Sequence, residues 1–379
     1  MAALAVAAAS AGALVAAGSV PAAAQPASQA AGTVVETAPL PHELWLPGTA
    51  DAQRITYWST GADGKPALSS GAYFTPAGTP PPGGWPVIAW AHGTSGVADQ
   101  CAPSRIGPAL PQRDSGYLGH WLERGYAITA SDYVGLGTPG MHPYLNTTVE
   151  AHSVVDMVEA SRKANPALSP KWVVIGQSQG GAAAVATARH ATEYGGPDLD
   201  YRGGVGTGVP VYLEKVLPTL GPGVPPTKLP ANTTGYLLWL TAGLRASHPE
   251  LGLDSYLTDY GRDSLAVAEQ WCERDGTGPF AQIDLSKVYA RPLAEIPDID
   301  RVLTDYMGLA DSGYDRPLFI GQGLTDVDVP APGALALAAA MKANQQPVTL
   351  KIYPTDHSGT LVQSQADVEP FVDELFSTH

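Results

Sequence analysis

The feature that most constrains the fold is an apolar run that ends in a Gly-x-Ser-x-Gly pentapeptide. Residues 173–181 read Val-Val-Ile-Gly-Gln-Ser-Gln-Gly-Gly, and a small-residue pattern typical of a helix follows. This order predicts a strand, a tight turn and a helix, with Ser178 raised on the turn as a nucleophile. Gly176 and Gly180 would let the strand and the helix pack closely around a strained serine. The motif therefore predicts acyl transfer to water, with Ser178 as the attacking group.

Short apolar, β-branched runs alternate with helical patterns along most of the chain. The predicted strands are 54–59, 71–75, 87–91, 126–131, 172–176, 205–209, 318–321 and 349–353. The predicted helices are 116–124, 150–163, 180–193, 332–343 and 366–376. Strands that alternate with helices indicate an α/β fold, with a mainly parallel central sheet covered by helices on both faces.

One stretch breaks this alternation. Residues 211–311 contain a proline-rich segment and several helical pieces, but no clear strand pattern. We predict an inserted, mainly helical cap over these residues, because such insertions in serine hydrolases usually cover the site. The catalytic domain would then comprise residues 41–210 and 312–379.

A serine hydroxyl needs a base to take its proton and an acid to orient that base. In chains with this elbow the order is serine, then acid, then histidine. Two histidines follow the cap segment, and His379 is the last residue of the chain. His357 directly follows the last predicted strand, in a predicted loop where ligands bind in open α/β sheets. We therefore predict His357 as the base, whereas His92 is expected to be structural.

The acid is expected in the loop after the preceding strand, which carries two carboxylates. We favour Asp326 because it precedes the Val329-Pro330 turn into the next helix. Asp328 stays an alternative that could cap that helix or lie in solvent. Asp356 neighbours the base in sequence, but adjacent side chains in a loop tend to diverge. Asp132 is expected to hold a glycine-rich turn through hydrogen bonds.

The oxyanion of the tetrahedral intermediate needs two preorganised hydrogen-bond donors. One is predicted to be the backbone N–H of Gln179, at the head of the helix after the nucleophile. The other is expected from the loop 91–96, which reads Ala-His-Gly-Thr-Ser-Gly. We assign it to Thr94, with Ser95 as the alternative.

The N-terminal segment indicates export. Residues 1–24 are small and apolar and end in an Ala-x-Ala cleavage site before Gln25, which predicts a signal peptide. A transmembrane anchor is the alternative, but the stretch is alanine-rich and barely long enough. We expect residues 25–40 to form a flexible leader. The net charge of −15 argues against binding of nucleic acid or of an anionic membrane surface.

Cysteine usage fits an exported protein. The chain contains two cysteines, Cys101 and Cys272, which in an oxidising compartment favour one disulfide. Two free buried thiols are the alternative. Neither cysteine has a metal-ligand partner at short spacing, so no metal and no cofactor are expected.

Taken together, the motifs resemble the secretory lipase family of the lipase A type, and in particular its bacterial members. The resemblance extends over residues 40–376 and rests on the segments 92–104, 132–145 and 176–181, on Asp326 with Val329-Pro330, and on His357. It implies an α/β-hydrolase fold with a helical cap, a disulfide that joins Cys101 to the cap, and metal-independent cleavage of carboxylic esters. The chain differs from fungal members in lacking their second cysteine pair and in having glutamines at 177 and 179.

The sequence therefore predicts a secreted carboxylic ester hydrolase that acts on small-molecule or lipid esters through an acyl-enzyme. Interfacial contact is expected to involve the cap, without stable insertion into a membrane. Short-chain esters or polyesters are alternative substrates. An acyltransferase on the same site is an alternative activity, and a non-catalytic binding protein on this fold is a remote one.

Overall fold

The computed structural model describes residues 29–377, and these form one mixed sheet covered by helices. The strands follow one another across the sheet in the order β1-β2-β3-β5-β4-β6-β7-β8-β9. Their bounds are β1 (Val34–Pro39), β2 (Thr49–Thr60), β3 (Pro66–Pro76), β4 (Trp85–Ala91), β5 (Ala127–Ser131), β6 (Leu168–Gln177), β7 (Asp200–Thr207), β8 (Leu318–Gly323) and β9 (Val348–Tyr353). The predicted signal peptide and His379 lie outside the described residues.

The α-helices connect these strands and fill the segment before β8. They are α1 (Pro103–Ile106), α2 (Pro111–Glu123), α3 (Thr147–Ala164), α4 (Gln179–Gly195), α5 (Leu213–Val216), α6 (Ala231–Ser247), α7 (Asp259–Ala268), α8 (Ile299–Met307), α9 (Ala331–Ala343) and α10 (His357–Ser377). No helix within 29–377 is long and apolar enough to cross a membrane.

The sheet is parallel from β5 to β9 and antiparallel at its N-terminal edge, where β1, β2 and β3 pair with each other and β3 pairs with β5. Successive side chains of a strand point to opposite faces. In β4, Val87 and Ala89 pack in the core cluster with α3, α4 and α9, whereas Ile88 and Trp90 pack with α2 and α10. The predicted mainly parallel sheet with helices on both faces is therefore confirmed.

The N-terminal edge corrects one expectation. Residues 34–39, which we expected in a flexible leader, form strand β1 and pair antiparallel with β2. Most of the β1 side chains are exposed. The strand therefore lacks the alternation of apolar and polar residues that identifies a half-buried strand in a sequence.

The segment between β7 and β8 holds α5 to α8 and several short 3₁₀ turns, and it lies where the helical cap is predicted. It has its own hydrophobic core, which includes Trp239, Phe280 and Tyr306. This core continues onto Val97 and Tyr144 of the loops below it. The Tyr306 hydroxyl donates a hydrogen bond to the Tyr144 carbonyl at 3.0 Å. The segment thus packs directly on the loops that follow β4 and β5.

Candidate active site

The predicted elbow forms as a strand, one residue and a helix. Strand β6 ends at Gln177, helix α4 begins at Gln179, and Ser178 lies between them with φ 62° and ψ −125°. A positive φ is costly for a residue with a side chain and persists only where the surroundings impose it. The Ser178 amide donates to the Thr207 carbonyl at 2.9 Å, which fixes the turn against β7.

The two glycines of the motif are required by close backbone contacts. A Cβ atom on Gly176 would lie 1.9 Å from the Gly180 carbonyl oxygen, and one on Gly180 would lie 1.9 Å from the Ala91 carbonyl oxygen. Real Cβ atoms do not approach other atoms so closely. The elbow is therefore a three-way backbone contact between β4, β6 and α4 that excludes any side chain at either position.

The structure brings the predicted acid and base together. His357 Nδ1 lies 2.7 Å from Asp326 Oδ2, although 31 residues separate them in sequence. We expected His357 in a loop, but it is the first residue of α10. The helix begins nine residues before its predicted start at 366. Asp326 is buried in the turn between β8 and α9. A carboxylate in this position holds the imidazole in one tautomer and one orientation.

The second oxygen of Asp326 and the two neighbouring carboxylates, Asp328 and Asp356, have partners other than His357. Asp326 Oδ1 accepts the amide protons of Asp328 and Val329 at 3.0 and 2.7 Å, so it faces its own turn. The Asp328 carboxylate accepts a hydrogen bond from the Asn232 amide of α6, and burial raises its pKa. Asp356 is exposed and accepts the Gly359 amide proton at 2.8 Å, at the start of α10.

Two buried glutamines that the sequence analysis did not assign hold the acid and the base. Gln322 Nε2 lies 3.2 Å from Asp326 Oδ2 and 3.0 Å from the Val329 carbonyl. Gln177 Nε2 donates to the His357 carbonyl at 2.9 Å, and its Oε1 accepts from the Thr207 hydroxyl. Burying a polar side chain at the end of a strand costs free energy unless it forms hydrogen bonds. The two glutamines in otherwise apolar strand ends were therefore a signal in the sequence that they bond to neighbouring groups.

The residues predicted for the oxyanion hole lie beside Ser178. Gln179 is the first residue of α4, so its backbone N–H is at the positive end of the helix dipole. Thr94 is buried in the loop after β4, and its hydroxyl lies 2.7 Å from the Tyr144 hydroxyl. The alternative residue, Ser95, has a buried hydroxyl with no hydrogen-bond partner among the described residues.

The Gln179 side chain enters a buried polar cluster instead of contacting solvent. Its Nε2 donates to Glu150 Oε1 at 2.7 Å and lies 2.8 Å from His142 Nε2. Burial lowers the pKa of His142 to about 3, so the ring is neutral, and its Nδ1 lies 3.0 Å from the Val134 carbonyl. Burial raises the pKa of Glu150 to about 8. The side chain beside the nucleophile therefore anchors the head of α4.

The structural roles expected for Asp132 and His92 fit the contacts. Asp132 accepts hydrogen bonds from the Ser70 hydroxyl at 2.6 Å and from the Ser104 amide at 2.8 Å. The His92 ring lies between the Gly93 and Asp132 carbonyls. Burial lowers the pKa of His92, which favours its neutral form.

Two cavities meet at Ser178. The large cavity, of about 450 Å³, is mostly apolar and extends between α5, α6 and the start of α9, with Leu213, Val216 and Leu237 in its wall. The small cavity, of about 50 Å³, has a mixed polar and apolar wall that includes His357 and Glu273. Ser178 and Tyr236 line both cavities.

A disulfide joins the loop after β4 to the segment above the site. Cys101 and Cys272 are bonded, with their Cα atoms 5.3 Å apart, as the family resemblance implies. The alternative of two free thiols is therefore wrong. Next to the bond, the Glu273 amide donates to the Ser95 carbonyl at 3.0 Å. The part of the small cavity's wall that comes from the segment between β7 and β8 is thus fixed to the loop that carries Thr94.

Among residues 29–377, one group of side chains has the ligand types and spacing for a metal ion. Asp326, Asp328 and His357 each have a potential ligand atom, and these atoms lie within 4.8 Å of one another. His357 Nδ1 and Asp326 Oδ2 already share a hydrogen bond, and Asp326 Oδ1 accepts two amide protons. The Nδ1 atom of His357 and both carboxylate oxygens of Asp326 are thus used within the protein.

Comparison with known proteins assigns the fold and its class. Candida antarctica lipase A in its closed state superposes with a TM-score of 0.75 at 19% identity, over 92% of this chain and 82% of that chain. A rice cell wall degrading esterase, LipA from Xanthomonas oryzae, superposes with a TM-score of 0.71 at 20% identity, over 91% of this chain and 100% of that chain. A putative hydrolase from Legionella pneumophila superposes with a TM-score of 0.72 at 19% identity, over 91% of this chain and 99% of that chain. The predicted α/β-hydrolase fold is confirmed.

The family comparison is more specific. The secretory lipase model matches residues 103–280, which include the elbow and most of the segment above it. The resemblance predicted from the motifs is thereby confirmed over those residues, and it supports an ester hydrolase. The secretory description of the family and the disulfide both suggest secretion. No curated protein matches the chain in sequence.

Proposed function

We propose that the protein is a secreted serine hydrolase of carboxylic esters, with Ser178, His357 and Asp326 as its catalytic triad. The observation that carries the proposal is the 2.7 Å contact between His357 Nδ1 and Asp326 Oδ2, together with the cavity whose wall His357 shares with Ser178. The strained elbow and the family match support the same assignment.

The proposed mechanism follows the roles of the three side chains. Ser178 Oγ attacks the ester carbonyl carbon, and His357 Nε2 takes the serine proton. The backbone amides of Thr94 and Gln179 stabilise the oxyanion. His357 gives its proton to the leaving alcohol oxygen, which leaves an acyl-enzyme on Ser178. Water, deprotonated by His357, then attacks the acyl carbon, and the serine recovers the proton as the carboxylic acid leaves.

The arrangement of the two cavities indicates how an ester binds. The leaving oxygen must lie near His357 because that residue protonates it. His357 lines the small cavity and not the large one, so the alcohol part points into the small cavity. The acyl chain then occupies the large apolar cavity, where burial of each methylene is worth about 0.8 kcal/mol.

Hydrolysis of p-nitrophenyl butanoate by a Ser178→Ala variant tests the proposal. We expect the rate to fall to that of the buffer while circular dichroism stays unchanged. Ser161→Ala is the matched control, because it removes a buried hydroxyl without a hydrogen-bond partner among the described residues. We expect this control to retain wild-type turnover. Substantial turnover by Ser178→Ala would overturn the assignment.

A series of p-nitrophenyl esters tests the position of the acyl chain. We expect kcat/KM to rise with each added methylene, at most about fourfold a step, until the large cavity is filled. Val216→Asp, at the wall of that cavity, should flatten the rise. A kcat/KM that does not change with the length of the acyl chain would contradict the placement of that chain in the large cavity.

A further inference from the structure

The small cavity is lined by one carboxyl group that has no hydrogen-bond or ion-pair partner among the described residues. His357 bonds to Asp326, Arg113 to Asp114 at 2.7 Å, and the Thr94 hydroxyl to Tyr144. Glu273 lines the same cavity, and its carboxyl makes no hydrogen bond or ion pair within residues 29–377.

The position of Glu273 is well defined even though its carboxyl is free. The residue follows Cys272, whose disulfide holds it to Cys101, and its own amide donates to the Ser95 carbonyl. The backbone of Glu273 is therefore held beside the small cavity by two links to the loop after β4.

Leaving this carboxyl without a partner has an energetic cost. Burial, together with the charge of Asp328, raises the pKa of Glu273 to about 7. Other titratable groups close by are Tyr144 and Tyr236, whose pKa values are raised in part by the charge of Glu273. The Glu273 side chain is half-buried, and a carboxyl that is partly removed from water gains stability from a ligand group that hydrogen-bonds to it.

We propose that Glu273 binds a free hydroxyl group on the alcohol part of the ester and so selects esters of small polyols. This inference rests on the proposed function, which places the leaving alcohol in the small cavity. Both the carboxylate and the carboxyl form of Glu273 offer an oxygen that accepts a hydrogen bond from such a hydroxyl. The small cavity, of about 50 Å³, is much smaller than the large one, so a hydroxyl close to the ester oxygen is the one best placed to reach Glu273.

A pair of esters with equal alcohol size isolates this contact. 2-Hydroxyethyl butanoate and propyl butanoate differ by a hydroxyl in place of a methyl group. We first take the kcat/KM of the hydroxyethyl ester relative to that of the propyl ester. Dividing this ratio by the corresponding ratio of alkaline hydrolysis rates gives a corrected ratio, which is free of the difference in intrinsic reactivity. We expect a corrected wild-type preference of about tenfold for the hydroxyethyl ester, which is the selectivity of one hydrogen bond of ordinary strength.

Two variants of Glu273 test the assignment. Glu273→Leu should lower the corrected ratio to about one, whereas Glu273→Gln keeps an acceptor oxygen and should stay near the wild-type ratio. Glu250→Leu is the control, because it makes the same change at an exposed residue of the cap that lines neither cavity. Its ratio should equal that of the wild type.

The outcomes separate this inference from the proposed function. Hydrolysis of propyl butanoate that depends on Ser178, without a wild-type preference for the hydroxyethyl ester, would overturn the role of Glu273 and leave the function intact. This result needs no variant of Glu273, so misfolding of Glu273→Leu cannot obscure it. A Glu273→Leu protein with the wild-type ratio would also overturn the role. A wild-type protein that hydrolyses neither ester nor p-nitrophenyl esters would overturn both proposals.

Discussion

Gln177 Nε2 donates a hydrogen bond to the His357 carbonyl oxygen at 2.9 Å, across 180 residues of sequence. Gln177 is the last residue of β6, directly before Ser178. One side chain therefore connects the backbone of the predicted nucleophile with the backbone of the predicted base. The Thr207 hydroxyl, which donates to Gln177 Oε1, orients that amide.

Replacing Gln177 is expected to impair the positioning of His357. Gln177→Met keeps the length of the side chain but removes the donor. We expect kcat to fall by about 10- to 100-fold with little change in KM, because a small displacement of a catalytic group costs about that much. Steady-state kinetics with p-nitrophenyl butanoate measure both values. An equal kcat for the variant and the wild type would show that the base is positioned without this bond.

The two carboxylates after β8 are expected to differ sharply in their effect on activity. Asp326→Asn removes the acceptor that holds His357 Nδ1, and we expect kcat to fall about 10⁴-fold because the histidine adopts the wrong tautomer. Asp328→Asn keeps the backbone amide that bonds to Asp326, and we expect a change below about tenfold. Activity assays on the two purified variants, side by side, decide the assignment. A larger loss in Asp328→Asn would reverse it.

Glycine substitutions test the backbone contact at the elbow. Gly180→Ala would place a Cβ atom 1.9 Å from the Ala91 carbonyl oxygen, and we expect a loss of about 3 kcal/mol or more in the free energy of unfolding. The control is Gly116→Ala, in α2, where a Cβ atom would meet no atom within 4 Å. This exposed helical position should gain about 0.5–1 kcal/mol. Chemical denaturation measures both, and similar stability of the two variants would contradict the close contact.

The buried carboxyl of Glu150 predicts a dependence of stability on pH. Its pKa is raised from 4.5 to about 8, so between these values the folded protein binds more protons than the unfolded chain. Stability then falls as the pH rises through this interval, by at most about 1.4 kcal/mol per pH unit for this group. Asp156, whose burial raises its pKa to about 7, acts in the same direction.

A Glu150→Gln variant isolates this contribution. Above pH 6.5 the unfolded-state histidines are mostly neutral, so His142 adds little to the slope. We expect the free energy of unfolding of the variant to fall less steeply than that of the wild type between pH 6.5 and 8. Urea denaturation at four pH values in this range gives the slopes. Parallel curves would show that Glu150 is ionised in the folded protein across this range.

The elbow and the alternation of strands with helices were predictable because their signals are local. A Gly-x-Ser-x-Gly sequence after an apolar run has few backbone solutions, since each glycine is required by a neighbouring carbonyl. Strands β4, β6 and β8 are almost wholly buried on both faces and contain continuous apolar runs. Strand β1 gave no such signal, because it lies at the edge with most of its side chains exposed.

The contacts of the candidate site were only partly predictable. The order of serine, acid and histidine along the chain leads to Asp326 and His357. It left Asp328 as an alternative acid, because both carboxylates lie in the same loop. The structure separates them, since Asp326 bonds to His357 and Asp328 to Asn232. Glu273 gave no signal, because its environment is formed by residues far away in the chain.

The sequence by itself determined the strand-turn-helix at Ser178, the alternation of strands and helices, and the order of serine, acid and histidine. These depend on steric and periodic constraints within short segments. Only the tertiary structure decided which side chains bond to one another: Gln177 to His357, Gln179 to Glu150, and Glu273 to none of the described residues. The physical reason is that a hydrogen bond depends on distances between atoms, and folding sets those distances across as many as 180 residues of sequence.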